Sequence, residues 1–293
     1  MGLGIPLIAE ASDAERSSSV LITKPIPGSG EMLPVIGLGT NRWVAAGSKS
    51  AIAELRATLG AFNEMGGRVI DTAPSYRSSE KALGQLIAEL GMRDTFFLAT
   101  KVDRNQKEEG LARMLDSLDK LGTSTVDLMQ IHNLRGAEAQ IETMLAWQQE
   151  GRIRYIGITT SSTSQFADME LLMNTMPLDF IQLNYSLRDR DAEERLLPLA
   201  LEKGIAVMVN RPFSRGRLFD GFNKAALPEW ATEIDCISWA QFFLKYVVSH
   251  PAVTCTIPGT TKEIHVRDNM GANYGRLPDK TMRRQQEALF ASL

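Results

Sequence analysis

Three short runs, Val69-Ile70-Asp71, Phe96-Phe97-Leu98-Ala99-Thr100-Lys101 and Val126-Asp127-Leu128-Met129-Gln130-Ile131-His132, decide the fold. Each is apolar, each is short for a helix, and each ends in a residue able to carry or share a proton. Between them lie segments of helical spacing: Ser79 to Leu90, closed by Gly91, and the face Leu111, Met114, Leu115, Leu118, Leu121, closed by Gly122. Strands separated by helices are expected to pair in parallel, because a parallel pair needs a long crossover. Parallel strands end on one side. Asp71, Lys101 and His132, with Tyr76 behind the Pro74-Ser75 turn, are therefore expected at one C-terminal face.

The alternation continues outward in both directions. Val35 to Thr40 reads as a first barrel strand, and Ile52, Leu55, Leu59 and Phe62 mark a helix ended by Gly66-Gly67. After His132, a helix over Ala137 to Glu150 leads into strands at Tyr155–Thr159, Leu178–Leu183, Ile205–Val209 and Val253–Ile257. Helices are expected from about Ser164, Asp191 and Ile237, and after Lys262. Eight strand–helix units predict an α/β fold closed as a (β/α)8 TIM barrel, a single domain over residues 20–293, and the usual barrel length of about 250 residues fits the chain. Val20–Thr23 and Glu31–Leu33 read as an N-terminal β-hairpin plugging the barrel floor, and Met282–Leu293 as an extra C-terminal helix. Phe219 to Trp230 is expected as a loop over the top face.

Composition excludes several classes. The 293 residues carry 32 basic and 35 acidic side chains, a net charge of −3, which gives no support for nucleic-acid binding. No apolar stretch reaches the roughly 20 residues of a membrane span. Cys236 and Cys255, the only cysteines, make neither a disulfide framework nor a metal site. Residues 1–19 read as a disordered tail on a cytoplasmic protein; the remainder of an export leader, and with it a periplasmic enzyme, is the alternative.

Taken singly, Asp71 reads as a turn former, Tyr76 as loop packing, Lys101 as a solvated strand end and His132 as a structural histidine. Proton-handling groups on three consecutive strand ends are much harder to dismiss. Gly37-Leu38-Gly39 lacks the third glycine of a dinucleotide fingerprint, so Gly39 is expected to let backbone approach a ligand, with Thr40 beside it and Trp43 walling a substrate pocket.

Asp71-Thr72-Ala73 followed by Tyr76, then Thr100-Lys101, then Gln130-Ile131-His132, resembles the catalytic tetrad of the aldo-keto reductases. The resemblance covers about Val20 to Leu277. It implies NADPH-dependent reduction of an aldehyde or ketone, with Tyr76 as general acid, Lys101 and Asp71 tuning it and His132 orienting the carbonyl. NADPH/NADP+ would be held through Pro258-Gly259-Thr260-Thr261-Lys262, His265, Asp268 and Asn269 at the adenosine phosphate end, with Arg267 alongside, and through Gln182 and Thr159-Thr160 at the nicotinamide carboxamide. The segment Asn210-Arg211-Pro212-Phe213, with Gly216, matches the one after strand seven, where Asn210 stands in place of a stacking aromatic. The partner is then a small-molecule carbonyl or alcohol, the assembly a monomer or small homo-oligomer, and no metal is needed. Two rivals stay open: a lyase forming a Schiff base on Lys101, and a non-catalytic cofactor-binding subunit.

Overall fold

The computed structural model describes residues 20–292 apart from 221, 223 and 224, so the expectation for residues 1–19 lies outside the described residues. Strands β1 (Thr23–Pro25) and β2 (Met32–Pro34) pair antiparallel as the hairpin. The barrel strands follow as β3 (Leu38–Gly39), β4 (Val69–Asp71), β5 (Phe97–Val102), β6 (Val126–His132), β7 (Ile153–Thr159), β8 (Phe180–Asn184), β9 (Ala206–Asn210) and β10 (Val253–Thr256), hydrogen-bonded in sequence order and all parallel. Around them run α1 (Lys49–Glu64), α2 (Ser79–Leu90), α3 (Lys107–Leu121), α4 (Ala137–Gln149), α5 (Phe166–Thr175), α6 (Leu196–Lys203), α7 (Trp239–Ser249) and α8 (Glu263–Gly271). The expected C-terminal helix is α9 (Lys280–Ala291).

Closure between first and last strands is made by single parallel bridges, Ile36 with Thr256 and Gly39 with Gly259. The amide of Gly37 donates to the Thr256 carbonyl (2.7 Å), and that of Gly39 to the Pro258 carbonyl (3.2 Å). Glycine is required for this seam. A Cβ on Gly37 would stand 2.7 Å from the Val69 oxygen, and one on Gly39 2.9 Å from the Ile257 oxygen. The expected strand over Val35–Thr40 is accordingly reduced to a two-residue ladder with bridges at its ends. Gly39 is needed for barrel closure.

Period-two alternation divides each strand. Ile70, Leu98, Met129, Ile156, Ile181 and Val207 face the helices. Val69, Phe97, Leu128, Tyr155, Phe180, Ala206, Met208 and Cys255 fill the interior, joined from below by Ile26 and Leu33 of the hairpin. The rings of Phe97, Tyr155 and Phe180 have centroids 5.6–6.0 Å apart, so the lower barrel is a packed floor rather than a channel. Lys24 fastens the hairpin, its Nζ donating to the carbonyls of Val248, His250 and Val253 at 2.6–2.8 Å. Above the floor the inward positions turn polar. In the Phe219–Trp230 segment, expected as a top-face loop, Phe219 and Phe222 pack against Phe243 of α7, and Trp230 against Phe242.

Candidate active site

The polar layer begins one step above the aromatic floor. Asp71, Lys101, Gln130, Thr159, Gln182 and Asn210 continue the inward parity of their strands, and register sets Lys101 beside Gln130, Thr159 beside Gln182 and Asn184 beside Asn210. Lys101 is 0% exposed; its Nζ donates to Asp71 Oδ2 at 2.6 Å and to the Thr72 carbonyl at 2.7 Å. The other Asp71 oxygen accepts from Gln130 Nε2 (3.1 Å) and Gln182 Nε2 (2.8 Å). Both oxygens of a carboxylate that is 1% exposed thus have donors, as a buried charge requires.

Tyr76 and His132 close over this pair. Lys101 Nζ stands 5.1 Å from the centroid of the Tyr76 ring, and that ring meets His132 edge-on, centroids 6.0 Å apart. Ser75 Oγ lies 3.4 Å from His132 Nδ1. The four residues expected to meet do meet. Burial opposes the Lys101 ammonium, but the Asp71 carboxylate and the Tyr76 phenol outweigh it and hold the group above its ordinary pKa. For Tyr76 the balance falls the other way: burial pushes the phenol up, and the Lys101 charge offsets only part of that. Lys101 thus favours the phenolate, and burial outweighs it. Burial, with Lys101 adding to it, drives His132 down to about 3, so its imidazole is neutral across the physiological range.

The expected cofactor residues divide into committed and available groups. Gln182 is 2% exposed and bound to Asp71, while its oxygen accepts from Thr159 Oγ1 (3.0 Å). Thr160 is buried and bonded to Gln165, and Thr40 is buried with its hydroxyl on the Asp71 carbonyl. Trp43, expected in a substrate pocket, is 1% exposed, and its indole donates to the Thr260 carbonyl (2.8 Å): it braces the loop after β10. Pro212 is buried and Phe213 packs against Phe219, the rings tilted at 52°. Asp268 accepts from Ser238 and Gln241, and Asn269 is buried, so both tie α8 to its surroundings.

What remains available suits an anionic, amide-bearing ligand. Asn184 Oδ1 and Asn210 Oδ1, neighbours in register, are buried with no hydrogen-bond partner among the described residues. Two such oxygens need a donor such as a carboxamide. Beside them a cleft of about 220 Å³ is lined by Ser161, Asn184, Asp189, Arg211, Arg215 and Arg217 among others, three guanidiniums against one carboxylate. Lys262 and His265 are exposed around the start of α8, though Glu54 of α1 already accepts from the Glu263 amide (3.0 Å), and Arg267 is shared between Glu263 and Glu64. The residues present therefore fit a dinucleotide phosphate. A larger concavity of about 440 Å³, lined by Arg68, Arg93, Arg154 and Asp127, opens at the N-terminal strand ends, away from the four proton-handling groups.

Sequence reasoning missed Gln130, Asn184 and the Asp189–Arg217 side of the cleft. Parity gave a usable signal for the first, two positions before His132 on the same inward face; the cleft gave none.

Residues 35–289 match the model of the Aldo/keto reductase family. Methylglyoxal reductase YeaE of Escherichia coli K12 is 31% identical over 259 residues, 84% of this chain and 88% of that protein. Aldo-keto reductase YhdN of Bacillus subtilis is 34% identical over 203 residues, 62% of this chain and 59% of that relative's length. Among solved structures, an aldo/keto reductase from Klebsiella pneumoniae in complex with NADP and acetate superposes with a TM-score of 0.76 at 28% identity, covering 90% of this chain and 93% of that one. A match that runs from the first barrel strand into the last helix takes in all four proton-handling residues, and the chain belongs to the aldo/keto reductase family.

Proposed function

We propose that the protein reduces an aldehyde or ketone to an alcohol with NADPH, Tyr76 supplying the proton to the carbonyl oxygen. The observation that carries this reading is the edge-on contact of Tyr76 and His132 over a sealed Asp71–Lys101 pair. NADPH, when bound, supplies the hydride. Asn184 and Asn210 would accept from its carboxamide, and Arg215 and Arg217 of the cleft, with Lys262, would meet its phosphates. Tyr76 keeps its proton in the resting site because burial raises its pKa, and the Lys101 ammonium stabilises the phenolate left after transfer. His132, uncharged, offers a hydrogen bond to the same oxygen without competing as an acid.

Schiff-base chemistry on Lys101 is disfavoured by the same geometry. An amine that is 0% exposed, held at 2.6 Å by a carboxylate and raised in pKa is not a free nucleophile. The direct test is a panel of aldehydes and ketones, with 2-oxoaldehydes first because one relative is a methylglyoxal reductase, followed by NADPH absorbance. Tight NADPH binding with no turnover of any carbonyl would favour the cofactor-binding subunit instead.

Two further outcomes are expected from the same assay. Lys262 is exposed and His265 meets the Thr260 hydroxyl (3.5 Å) at the α8 end, while Arg267 and the Glu263 amide are held by carboxylates, so NADPH should be preferred over NADH by only about tenfold in kcat/KM, the yield of about 1.4 kcal/mol. Equal values for the two cofactors would show that the loop after β10 does not read the 2′-phosphate. With His132 lowered to about 3 and Tyr76 raised above its usual 10, neither changes protonation between about pH 5 and 8. Reduction should therefore show a flat pH profile there. A step near 6.5 would mean that His132 charges in the working enzyme.

A further inference from the structure

Arg211 is the one charged side chain at the β9 end that the chemistry above leaves without a task. Its backbone is left-handed (φ 51°), as are Ser214, Arg215 and Gly216 in the same loop (φ 47°, 60° and 94°). Non-glycine residues hold that conformation only where neighbouring contacts fix it. Here Ser214 is buried and donates to Asp189, and the Arg211 guanidinium donates across the mouth to the Ser161 carbonyl beyond the end of β7. Among the described residues no carboxylate forms an ion pair with it. Burial and the neighbouring Arg215 both work against its charge, yet a guanidinium stays protonated. Its field reaches the Tyr76 phenol.

Arg211 thus holds a positive charge beyond the β7 end and within reach of the Tyr76 phenol, with no carboxylate at ion-pair distance among the described residues and Asp189, in the same cleft, offsetting only part of it. A carbonyl that takes the Tyr76 proton must lie within hydrogen-bond reach of the phenol, and the hydride donor about 3–3.5 Å from the carbonyl carbon. The nicotinamide has to occupy this same space. Its oxidised ring is cationic and its reduced ring neutral, so a fixed positive charge here separates the two forms. We propose that Arg211 discriminates between the redox forms of the cofactor, disfavouring the oxidised form and so hastening its departure after reduction.

The inference rests on the cofactor reading above, and binding measurements separate the two. Titrating NADP+ and NADPH into the wild-type protein and into Arg211→Met should show NADP+ tightened by about tenfold relative to NADPH in the variant, a shift of about 30 mV in the potential of the bound two-electron couple. Arg211→Lys keeps the charge and should keep most of the discrimination, which also guards against a variant that fails to fold. Arg215→Met, in the exposed part of the loop, should move both affinities together. If Arg211→Met shifts both forms alike, Arg211 is a phosphate ligand and the proposal is wrong; if it shifts neither, it is equally wrong. Failure of the wild-type protein to bind either nucleotide would remove the cofactor reading itself, and this inference with it.

Discussion

Replacing Tyr76 with phenylalanine is expected to lower kcat/KM for carbonyl reduction by about 10² to 10⁴, the usual contribution of a positioned general acid. The substitution keeps the ring's packing and removes only the hydroxyl and its interaction with Lys101. Lys101 Nζ would still face the ring at about the present 5.1 Å, and the edge contact with His132 at 6.0 Å would persist. Stability should change little, since the group removed is a single oxygen on a half-buried side chain. NADPH affinity should be kept, because the available amide oxygens and the arginine-lined cleft lie on β8, β9 and their loops. The measurement is steady-state reduction of the best carbonyl from the panel beside a nucleotide titration. A Tyr76→Phe protein that turns over within a few fold of wild type would assign the proton to another donor and end the mechanism; one that also loses nucleotide binding would show that the hydroxyl is structural.

Much of this site was legible in the chain because strand ends advertise themselves. Asp71, Lys101 and His132 each terminate an apolar run, and parallel pairing then has no choice but to assemble them. What stayed hidden depended on long-range contacts. Gly39 looked like a ligand-facing glycine, and only the Ile257 oxygen, from the far end of the barrel sequence, shows that closure demands it. Trp43 looked like a pocket wall for the same reason: its partner is the Thr260 carbonyl. Around α8, the Glu64 that pairs with Arg267 and the Glu54 that takes the Glu263 amide both come from α1, which nothing local to that helix announces. The direction of the Tyr76 shift was also out of reach, because charge is visible in a sequence and depth of burial is not.

The second large effect concerns stability. Lys101→Met leaves the Asp71 carboxylate, 1% exposed, with only the Gln130 and Gln182 amides as donors, and removing one member of a buried ion pair typically costs about 3–5 kcal/mol. In a domain of this size each kcal/mol is worth about 2–4 °C in Tm, so the loss should be plain in thermal or denaturant unfolding. The cost comes from the stranded charge rather than from lost attraction. Asp71→Asn combined with Lys101→Met should therefore be markedly more stable than Lys101→Met alone, since an uncharged amide and a thioether fill similar volumes without an unpaired ion. The pH dependence follows from the raised Lys101 pKa: the contribution of the pair on that side is fully present below the unfolded lysine value of about 10.4 and is lost only as pH rises through the higher folded value. Wild-type stability should hold through neutral pH and fall in strong alkali, and the double variant should lack that alkaline limb. If the double variant is as unstable as Lys101→Met, the deficit lies in packing around the Lys101 stem, and the buried pair is not what holds the upper barrel together.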